Sequence, residues 1–204
     1  MHDADTAGGP GVRQASFGLD QALMPGSGML AGLAALRADG TIDNVSLGMN
    51  AHRKHMGGWE PSVIIDLIEA APEGTIDSAL LAYGWNLLCQ DGLEVMECCQ
   101  KHGIRVHIAG TMGGEQYSIF RPTDENKGRL AHWQALAEEH GVSLPAIAIS
   151  FACLPSCVEK VIMGMSTPDE VEMNMNSLKE SAGVPAAIWK EAQAAGLLPA
   201  GLKV

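Results

Sequence analysis

The fold of this chain is decided by residues 76–109, which read IDSALLAYGWNLLCQDGLEVMECCQKHGIRVHIA. Two short apolar runs, 76–83 and 104–109, flank a segment over 93–102 whose apolar residues recur at helical spacing. Short runs that are apolar on both faces are typical of parallel strands buried in a sheet, and Gly103 is a typical helix stop. The stretch therefore predicts a strand–helix–strand unit.

The same alternation continues on both sides of this unit and predicts an α/β fold. Strand, loop and amphipathic helix follow one another four times, which indicates about four parallel strands with crossover helices. A closed β/α barrel requires eight strands, so we predict half of a TIM-type barrel in a single domain over residues 1–204. The predicted strands are 42–49, 76–83, 104–109 and 158–164, and the predicted helices are 28–37, 62–70, 93–102, 127–140, 144–152, 168–180 and 185–195.

The composition of the 204 residues disfavours several classes of protein. A net charge of −11 argues against a nucleic-acid partner, because phosphates are neutralised by clustered Lys and Arg. The most apolar stretches are shorter than the roughly 18 residues that a membrane span requires. The N-terminus has no basic region followed by an apolar one, so we expect a cytoplasmic protein. The five cysteines, an odd number, favour free thiols over a disulfide framework.

Polar and aromatic side chains follow two of the predicted strands, at the edge where parallel sheets bind ligands. Asn50 follows the first strand, and its amide suits either a ligand contact or a turn cap. Tyr83 and Trp85 follow the next strand, where flat rings either line a ligand pocket or pack within a barrel. The longest irregular segment, 115–125, is a candidate active-site loop.

The spacing of His and Cys residues matches no strong metal motif, and we predict no metal site. His52 and His55 lie three apart after a strand, which favours a loop over a helical pair of ligands. Cys98 and Cys99 are adjacent and cannot share one face of a helix. A Cys–His nucleophile pair is left open, although no motif supports it. The remaining histidines, expected to be solvated or packed rather than ligands, are His102, His107, His132 and His140.

Several short motifs occur in a specific order along the chain. They are His2-Asp3, 33–50 (LAALRADGTIDNVSLGMN), 82–88 (AYGWNLL), 98–106, 140–143 (HGVS), 161–164 (VIMG), 166–174 and 184–189 (VPAAIW). Together they resemble the C-terminal half of an aldo-keto reductase, in the aldose and pyridoxal dehydrogenase branch of that family. The resemblance runs over nearly the whole chain, and it rests on the order of the motifs because each one alone is weak.

The resemblance implies an oxidoreductase that moves a hydride between a nicotinamide and a small-molecule carbonyl or sugar substrate. In this family a tyrosine acts as general acid, a lysine and an aspartate tune it, and a histidine orients the substrate oxygen. His2 matches the histidine and is the candidate catalytic residue. We expect the positions of the aspartate, tyrosine and lysine to lie upstream of Met1, so that the chain lacks them.

The nicotinamide end of the cofactor is the part that the resemblance assigns to the first two strand ends. Asn50 matches the residue whose side-chain amide pairs with the nicotinamide carboxamide. Tyr83 lies where a ring would line the cofactor site. The implied nicotinamide-binding residues are therefore these two.

The last strand and helix match the part of the family that holds the rest of the cofactor. Gly164, Ser166 and Thr167 fit a phosphate cradle of backbone donors at a helix N-terminus, and Asn174 matches a contact to adenine. Relatives that bind a 2′-phosphate carry Lys or Arg near the positions of Gly164 and Glu170. An acid at Glu170 would repel a phosphate dianion, which favours NAD over NADP. Loss of cofactor binding is left open.

A half-barrel leaves unpaired backbone groups on its first and last strands. Two copies that meet edge to edge around a two-fold axis would satisfy these groups and rebuild an eight-stranded barrel. We therefore predict a homodimer or a higher oligomer.

Three functions are compatible with the sequence. The first is an oxidoreductase of the aldo-keto reductase type with NAD as its cofactor. The second is a non-catalytic half-barrel that binds a nucleotide or serves in assembly. The third is a repurposed hydrolase that uses His, Asp and Cys side chains at the strand ends, with or without a metal.

Overall fold

The computed structural model describes residues 23–51, 61–114 and 117–202. Within these ranges four parallel strands form one open sheet, in the order in which they occur along the chain. The predicted α/β alternation with four parallel strands is confirmed. The strands are β1 (Ser46–Asn50), β2 (Ser78–Ala82), β3 (Arg105–Ala109) and β4 (Val158–Ile162).

Helices connect the strands and follow the last one. Each observed helix agrees with a predicted helix to within about one residue at each end, because the apolar spacing and the flanking glycines and prolines mark the ends clearly. None of the helices within the described ranges is long and apolar enough to cross a membrane. They are α1 (Met29–Ala38), α2 (Pro61–Ala70), α3 (Leu93–Lys101), α4 (Lys127–His140), α5 (Leu144–Ala152), α6 (Pro168–Ser181) and α7 (Ala186–Ala194).

All four strands are shorter than predicted: the strand predicted over 76–83 spans Ser78–Ala82, the one predicted over 104–109 begins at Arg105, and the first and last strands also lose residues. Before β1 begins, the Val45 N–H donates to Asp77 Oδ2 at 2.7 Å and the Asp77 N–H donates to the Val45 carbonyl at 2.9 Å. β4 ends at Ile162, and residues 163–166 form the connection to α6. Ile42 and Val45 before β1, and Met163 and Met165 after β4, are apolar but lie outside the strands, so isolated apolar residues overestimate the length of these strands.

The register of the sheet aligns the carboxyl ends of its strands. Asn50 lies opposite Ala82, Ala82 lies opposite Ala109, and Ala109 lies opposite Ile162. The pairing of β1 and β2 extends one residue further, because the Ala51 N–H donates to the Ala82 carbonyl at 2.8 Å. The residues that follow all four strands therefore start from one edge of the sheet, which we call the carboxyl edge.

An aromatic cluster forms part of the core beneath the carboxyl edge. The rings of Trp85 and Phe151 stack with their centroids 4.7 Å apart, and Trp133 meets Trp189 edge to face at 6.5 Å. The Trp133 indole N–H donates to the Leu87 carbonyl at 3.1 Å. Trp85 is 0% exposed, so of the two roles left open for it, packing in the barrel is the one it fulfils. The cluster anchors the segment after β2 to helices α4, α5 and α7.

Local signals in the sequence set the ends of the C-terminal helices. α4 ends at His140 and is capped by Gly141, whose φ of 64° lies in the left-handed region that glycine adopts at low cost. α5 begins after Ser143, whose hydroxyl accepts a hydrogen bond from the Ala146 N–H at 3.2 Å. Glu180 of α6 accepts a hydrogen bond from the Ser143 N–H at 2.7 Å, which ties α6 to the start of α5.

Helix α6 has the reverse of the usual amphipathic arrangement. Its buried residues are Asn174 and Ser177, whereas Val171, Met175 and Leu178 are 45%, 45% and 46% exposed. The three exposed residues are spaced at four and three positions, so they form one apolar stripe along the helix. We call this surface the α6 stripe. A helix of a finished globular fold normally turns such a stripe toward the core.

The sheet is open at both sides. Among the described residues β1 pairs only with β2, and β4 pairs only with β3. Glu159 and Lys160 of β4 are exposed, and Ile162 at its end is 46% exposed. The sheet therefore lacks the closure that a complete β/α barrel achieves with eight strands.

Candidate cofactor site

Tyr83 stands at the carboxyl edge in an unusual backbone conformation. Its φ of 62° is the one positive value for a non-glycine residue in the described part of the chain. The conformation is held in place because the Tyr83 N–H donates to the Ala109 carbonyl at 2.9 Å. A bulky residue in the left-handed region carries strain of roughly 1–3 kcal/mol, and such strain concentrates at functional sites.

Two glycines make room for the Tyr83 ring. A Cβ atom at Gly110 would lie 2.4 Å from Tyr83 Cδ1, and one at Gly114 would lie 2.8 Å from Tyr83 Cε1. These separations are shorter than carbon–carbon contact, so only glycine fits at either position. The ring is therefore supported by the loop after β3, while 37% of the residue stays exposed. An aromatic ring that is fixed and partly open to solvent is suited to contact a flat ligand.

The turn after β2 holds Tyr83 through Asn86, a buried residue to which the sequence analysis gave no role. The Asn86 amide donates to the Tyr83 carbonyl at 2.9 Å. Its oxygen accepts from the Leu88 and Cys89 N–H groups at 3.0 and 2.9 Å. Gly84 also approaches β1 closely, since a Cβ there would lie 1.8 Å from the Ala51 carbonyl oxygen. An Asn three residues after a strand-end Tyr was the available signal for this turn.

Asn50 lies on the same edge, one strand away. It is half-buried and ends β1 opposite Ala82, the residue that precedes Tyr83. The register therefore places the two residues to which the nicotinamide was assigned at the ends of adjacent strands. Their contact with a cofactor stays a prediction.

The candidate active-site loop folds back on the glycine-rich segment after β3. A Cβ at Gly113 would lie 1.8 Å from the Tyr117 carbonyl oxygen, and the Ile119 N–H donates to the Met112 carbonyl at 3.1 Å. Tyr117 and Ile119 are buried, so these two residues contribute packing. Burial raises the pKa of the Tyr117 phenol above its usual range. Glu115 and Gln116 of this loop lie outside the described residues.

The backbone N–H groups at the N-terminus of α6 already donate to side chains of the same segment. Thr167 caps the helix by accepting from the Glu170 N–H at 3.2 Å. In return the Glu170 carboxylate accepts from the N–H groups of Thr167, at 3.3 Å, and of Ser166. This capping box places a negative charge where the resemblance implies cofactor phosphates. Gly164 is exposed, with no heavy atom within 4 Å of a Cβ built on it.

Asn174, the residue assigned to adenine, lies on the buried side of α6. It is 3% exposed, and its Oδ1 atom has no hydrogen-bond partner among the described residues. Buried polar atoms are nearly always paired, so an orphaned amide oxygen is compatible with a missing ligand or neighbour. Its contact with adenine, like the phosphate contacts of Gly164, Ser166 and Thr167, stays a prediction.

The thiols are poorly suited to nucleophilic chemistry. All five cysteines are free, as the sequence analysis predicted. Burial raises the pKa of Cys89 and of Cys99 to about 12, so both remain protonated near neutral pH. Burial also raises the pKa of Cys157. Since the thiolate is the nucleophile, the Cys–His alternative gains no support.

The seven histidines fall into three groups, of which one is His102 alone, an exposed residue at the end of α3. His2, the candidate catalytic residue, lies outside the described residues, and so do His52 and His55. The three with side-chain hydrogen bonds are His107, which contacts Glu159 at 2.9 Å, His140, which contacts Glu191 at 2.9 Å, and His132, which contacts the Gly128 carbonyl at 2.9 Å. These contacts account for their side chains without a ligand role.

Comparison with known proteins gives one consistent family. A sequence profile of the Aldo/keto reductase family matches residues 29–184. Pyridoxal 4-dehydrogenase of Microbacterium luteolum is 29% identical over 188 residues, which are 87% of this chain and 51% of that protein. D-threo-aldose 1-dehydrogenase of a Pseudomonas species is 26% identical over 180 residues, which are 82% and 50%. The chain thus spans about half the length of the curated relatives it matches.

Solved structures of the same kind share the fold. The apo form of aldo-keto reductase AKR11C1 from Bacillus halodurans superposes with a TM-score of 0.58 at 20% identity, over 85% of this chain and 57% of that one. The thermostable aldo-keto reductase Tm1743, bound to the inhibitor epalrestat, gives 0.55 at 14% identity, over 81% and 53%. The prediction of a partial β/α barrel is confirmed.

Proposed function

Since the chain belongs to the aldo/keto reductase family, we propose that it forms the cofactor-binding half of an NAD-dependent oxidoreductase. The substrates would be small carbonyl compounds or sugars, the class named in the curated relatives. Bound NAD would supply the hydride acceptor at the carboxyl edge of the sheet. The observation that carries this proposal is the fixed ring of Tyr83, strained and partly exposed beside the end of β1.

In this proposal the first two strand ends hold the nicotinamide end of the cofactor. The Asn50 amide can both donate to and accept from a carboxamide, and it extends from the strand next to Tyr83. The Tyr83 ring provides a flat face that Gly110 and Gly114 hold in position. The support from these glycines lowers the entropy that the site would lose when a ligand binds.

The charge at α6 favours NAD as the partner of this site. The Glu170 carboxylate lies at the helix N-terminus, where a 2′-phosphate would add a second negative group. A pyrophosphate would also have to displace this carboxylate from the N–H groups of Ser166 and Thr167. We therefore expect weak binding of NAD and weaker binding of NADP.

The proton donor of the reaction would come from outside this chain. The chain has two tyrosines, Tyr83 and Tyr117. Tyr117 is buried with a raised pKa, which makes its phenol a poorer acid. We propose that His2 orients the substrate oxygen. A second copy of this chain brings only the same two tyrosines, so a homodimer would need a substitute proton donor.

A second copy of the chain is the occupant that we propose for the open sides of the sheet. Its β1 edge would pair with the β4 edge of the first copy, and the same contact would form again through a two-fold axis. The α6 stripe follows β4 in the chain, and α1, the helix that precedes β1, carries the exposed apolar residues Met29 and Leu36. Burial of these apolar surfaces would drive the association.

The free cysteines agree with a reducing, cytoplasmic setting.

A calorimetric titration with NAD, NADH and NADPH tests the proposed cofactor site. We expect micromolar binding of NAD or NADH and about tenfold weaker binding in Asn50→Ala, a loss of about 1.4 kcal/mol. Asn44→Ala is the matched control, because Asn44 is an exposed Asn at the opposite end of the same segment. Equal binding by both variants, or no binding of any nucleotide to the unsubstituted chain, would contradict the proposal.

A non-catalytic nucleotide-binding half-barrel is the second candidate. The carboxylate of Glu170 on the phosphate donors favours it, because weak cofactor binding suits a scaffold better than an enzyme. NADH binding without oxidation by aldehydes or aldoses, in an assembled dimer, would support this candidate over the enzyme.

A further inference from the structure

Three metal-ligand side chains of different chemistry meet on the outside of the helical layer. Glu69 belongs to α2, and Cys98 and His102 belong to α3 and its C-cap. One carboxylate oxygen, the thiol sulfur and one imidazole nitrogen all lie within 4.8 Å of one another. Cys98 and His102 are four residues apart, so they share one face of the helix. Adjacent residues such as Cys98 and Cys99 cannot share one face of a helix, but this limit does not apply to residues four apart.

The cluster lies far from the candidate cofactor site along the strands. α3 ends at Lys101 and leads directly into the first residue of β3, Arg105. The end of α3 is therefore next to the amino edge of the sheet, whereas Tyr83 follows the carboxyl end of β2. In β/α barrels this opposite face carries features of stability rather than catalysis. A ligand bound here would leave the cofactor site untouched.

The donor set suits zinc better than magnesium or calcium. Thiolate sulfur and imidazole nitrogen are ligands that Zn²⁺ prefers, whereas Mg²⁺ and Ca²⁺ require an all-oxygen set. Ligand atoms in a tetrahedral zinc site lie about 3.5 Å apart, given bond lengths of about 2.0–2.3 Å. The separations of the three ligand atoms, all within 4.8 Å, are near that value, and rotation of the exposed Glu69 and His102 side chains would shorten them.

We propose that Glu69, Cys98 and His102 form a binding site for Zn²⁺ that links α2 to α3. Binding would form three bonds, from a Glu69 oxygen, the Cys98 sulfur and a His102 nitrogen, and would release the thiol proton of Cys98 to solvent. A water molecule would take the fourth position. The two negative ligands balance the charge of the ion, and the inference stands whether or not the proposed oxidoreductase function holds.

Lys101 is the present partner of Glu69 and the group that the ion must displace. Its Nζ lies 3.0 Å from Glu69 Oε1, and the side chains are 67% and 48% exposed. An exposed ion pair of this kind adds little to stability, so the carboxylate can exchange it for a divalent ion. The hydrogen bond and the charge of the Lys101 ammonium lower the pKa of Glu69, and this contact has to open before the carboxylate binds an ion.

The thiol of Cys98 is protonated in the metal-free protein. Burial and the nearby Glu69 carboxylate raise its pKa. A bound dication reverses this, because the positive charge favours the thiolate by coordination. The negative net charge of the chain, −11, also favours cation binding.

A cobalt titration of the purified full chain tests the site. Co²⁺ takes the same ligands as Zn²⁺, and a thiolate ligand gives an absorption band in the near ultraviolet that oxygen ligands do not give. We expect one Co²⁺ per chain with this thiolate band, and loss of the band when Zn²⁺ is added. A chain that shows no thiolate band under these conditions overturns the proposal.

Matched variants assign the band to the three residues. We expect Cys98→Ser to abolish it and His102→Gln to weaken Co²⁺ binding at least tenfold, while Cys153→Ser and His132→Gln, at exposed positions of other segments, leave it unchanged. His102 is exposed, so His102→Gln remains informative even if Cys98→Ser, at a buried position, fails to fold. A band that survives in His102→Gln with unchanged affinity, or that is lost in Cys153→Ser, would overturn the assignment.

Discussion

Strain at one residue distinguishes the candidate site from the rest of the fold. Tyr83 has a φ of 62°. Its ring lies so close to Gly110 and Gly114 that no side chain fits at either glycine. A residue selected for stability alone would be glycine, because glycine adopts this conformation without a penalty. The presence of a large aromatic side chain therefore points to a role for the ring itself.

Replacement of Tyr83 tests that role. We expect Tyr83→Gly to change the free energy of unfolding by less than about 1 kcal/mol, because relief of backbone strain offsets the lost ring contacts. Affinity for NAD should nevertheless fall about tenfold. Urea unfolding and calorimetry measure the two quantities. The control is Ala82→Gly, one residue earlier in ordinary strand geometry, where glycine should cost about 0.5–1 kcal/mol and leave NAD binding intact.

Two buried thiols give the stability of the protein a pH dependence. The pKa of Cys99 is raised by burial from 9.0 to about 12. Between these values the unfolded chain loses the thiol proton and the folded chain keeps it, so the free energy of unfolding falls as pH rises. Its contribution is complete below pH 9.0 and decreases by about 1.4 kcal/mol for each pH unit above it.

Urea unfolding between pH 7 and 10.5 measures this effect. We expect Cys99→Ala to lower stability at pH 7 through lost packing, and to make the decline above pH 9.0 less steep than in the unsubstituted chain. Val106→Ala creates a cavity at an equally buried site without removing a titratable group, so its decline should keep the original slope. Equal slopes in the two variants would refute the linkage.

At the scale of elements, α6 combines a helix cap with the proposed phosphate site. The Glu170 carboxylate stabilises the helix N-terminus by accepting backbone hydrogen bonds and by interacting with the helix dipole. The same contact competes with any phosphate that approaches these donors. Helix stability and cofactor affinity are thus opposed at this position.

Removal of the charge should separate the two effects. We expect Glu170→Gln to destabilise the protein by about 0.5–1 kcal/mol and to tighten NADPH binding several-fold, with a smaller gain for NADH. Thermal unfolding and calorimetry with both nucleotides measure these changes. Glu172→Gln changes the net charge equally on an exposed site of the same helix and should alter neither nucleotide affinity. If NADPH affinity rises equally in both variants, the net charge of the protein governs binding, and the capping contact of Glu170 does not.

The elements were predictable where the sequence carries local signals. Residues 127–140 and 144–152 were predicted with the bounds observed, because Gly141 and Ser143 mark a helix end and a helix start. The first strand begins at Ser46, four residues later than predicted, because a long-range hydrogen bond from Val45 to Asp77 limits the ladder. A local sequence pattern cannot predict a contact between residues as far apart in the chain as Val45 and Asp77.

The candidate site was predictable only in part. The sequence located Asn50 and Tyr83 at adjacent strand ends, since parallel strands align their carboxyl ends. The sequence did not predict the left-handed backbone of Tyr83 or the burial of the Asn86 amide. It also did not predict that the Glu170 carboxylate accepts a hydrogen bond from the Ser166 N–H. These features arise from tertiary packing, which competes with and overrides local propensity.

At the scale of the whole molecule, two surfaces of opposite character govern association. The α6 stripe and the open strand edges favour a partner, whereas a net charge of −11 on each copy opposes one. The repulsion is screened over roughly 8–10 Å at physiological salt, and the apolar contact is not. The proposed dimer should therefore tighten as salt is added.

Sedimentation at low and high salt tests this balance. We expect the unsubstituted chain to be dimeric at micromolar concentration in high salt, and Met175→Lys to shift it to monomer at all salt concentrations. Met175 is 45% exposed, so the substitution should leave the stability of the monomer within about 0.5 kcal/mol. Ala194→Lys, at an exposed position of α7, is the control and should remain dimeric. A monomer in the unsubstituted chain at high salt would exclude self-association.

The outward apolar stripe of α6 also bears on how the chain reaches its native state. The α6 stripe and the unpaired side of β4 meet no covering element within the described residues. Until a partner binds, the exposed apolar surface of α6 and the unpaired edge of β4 favour off-pathway aggregation. Recovery from denaturant should therefore pass through an optimum protein concentration, with slow assembly below it and precipitation above it.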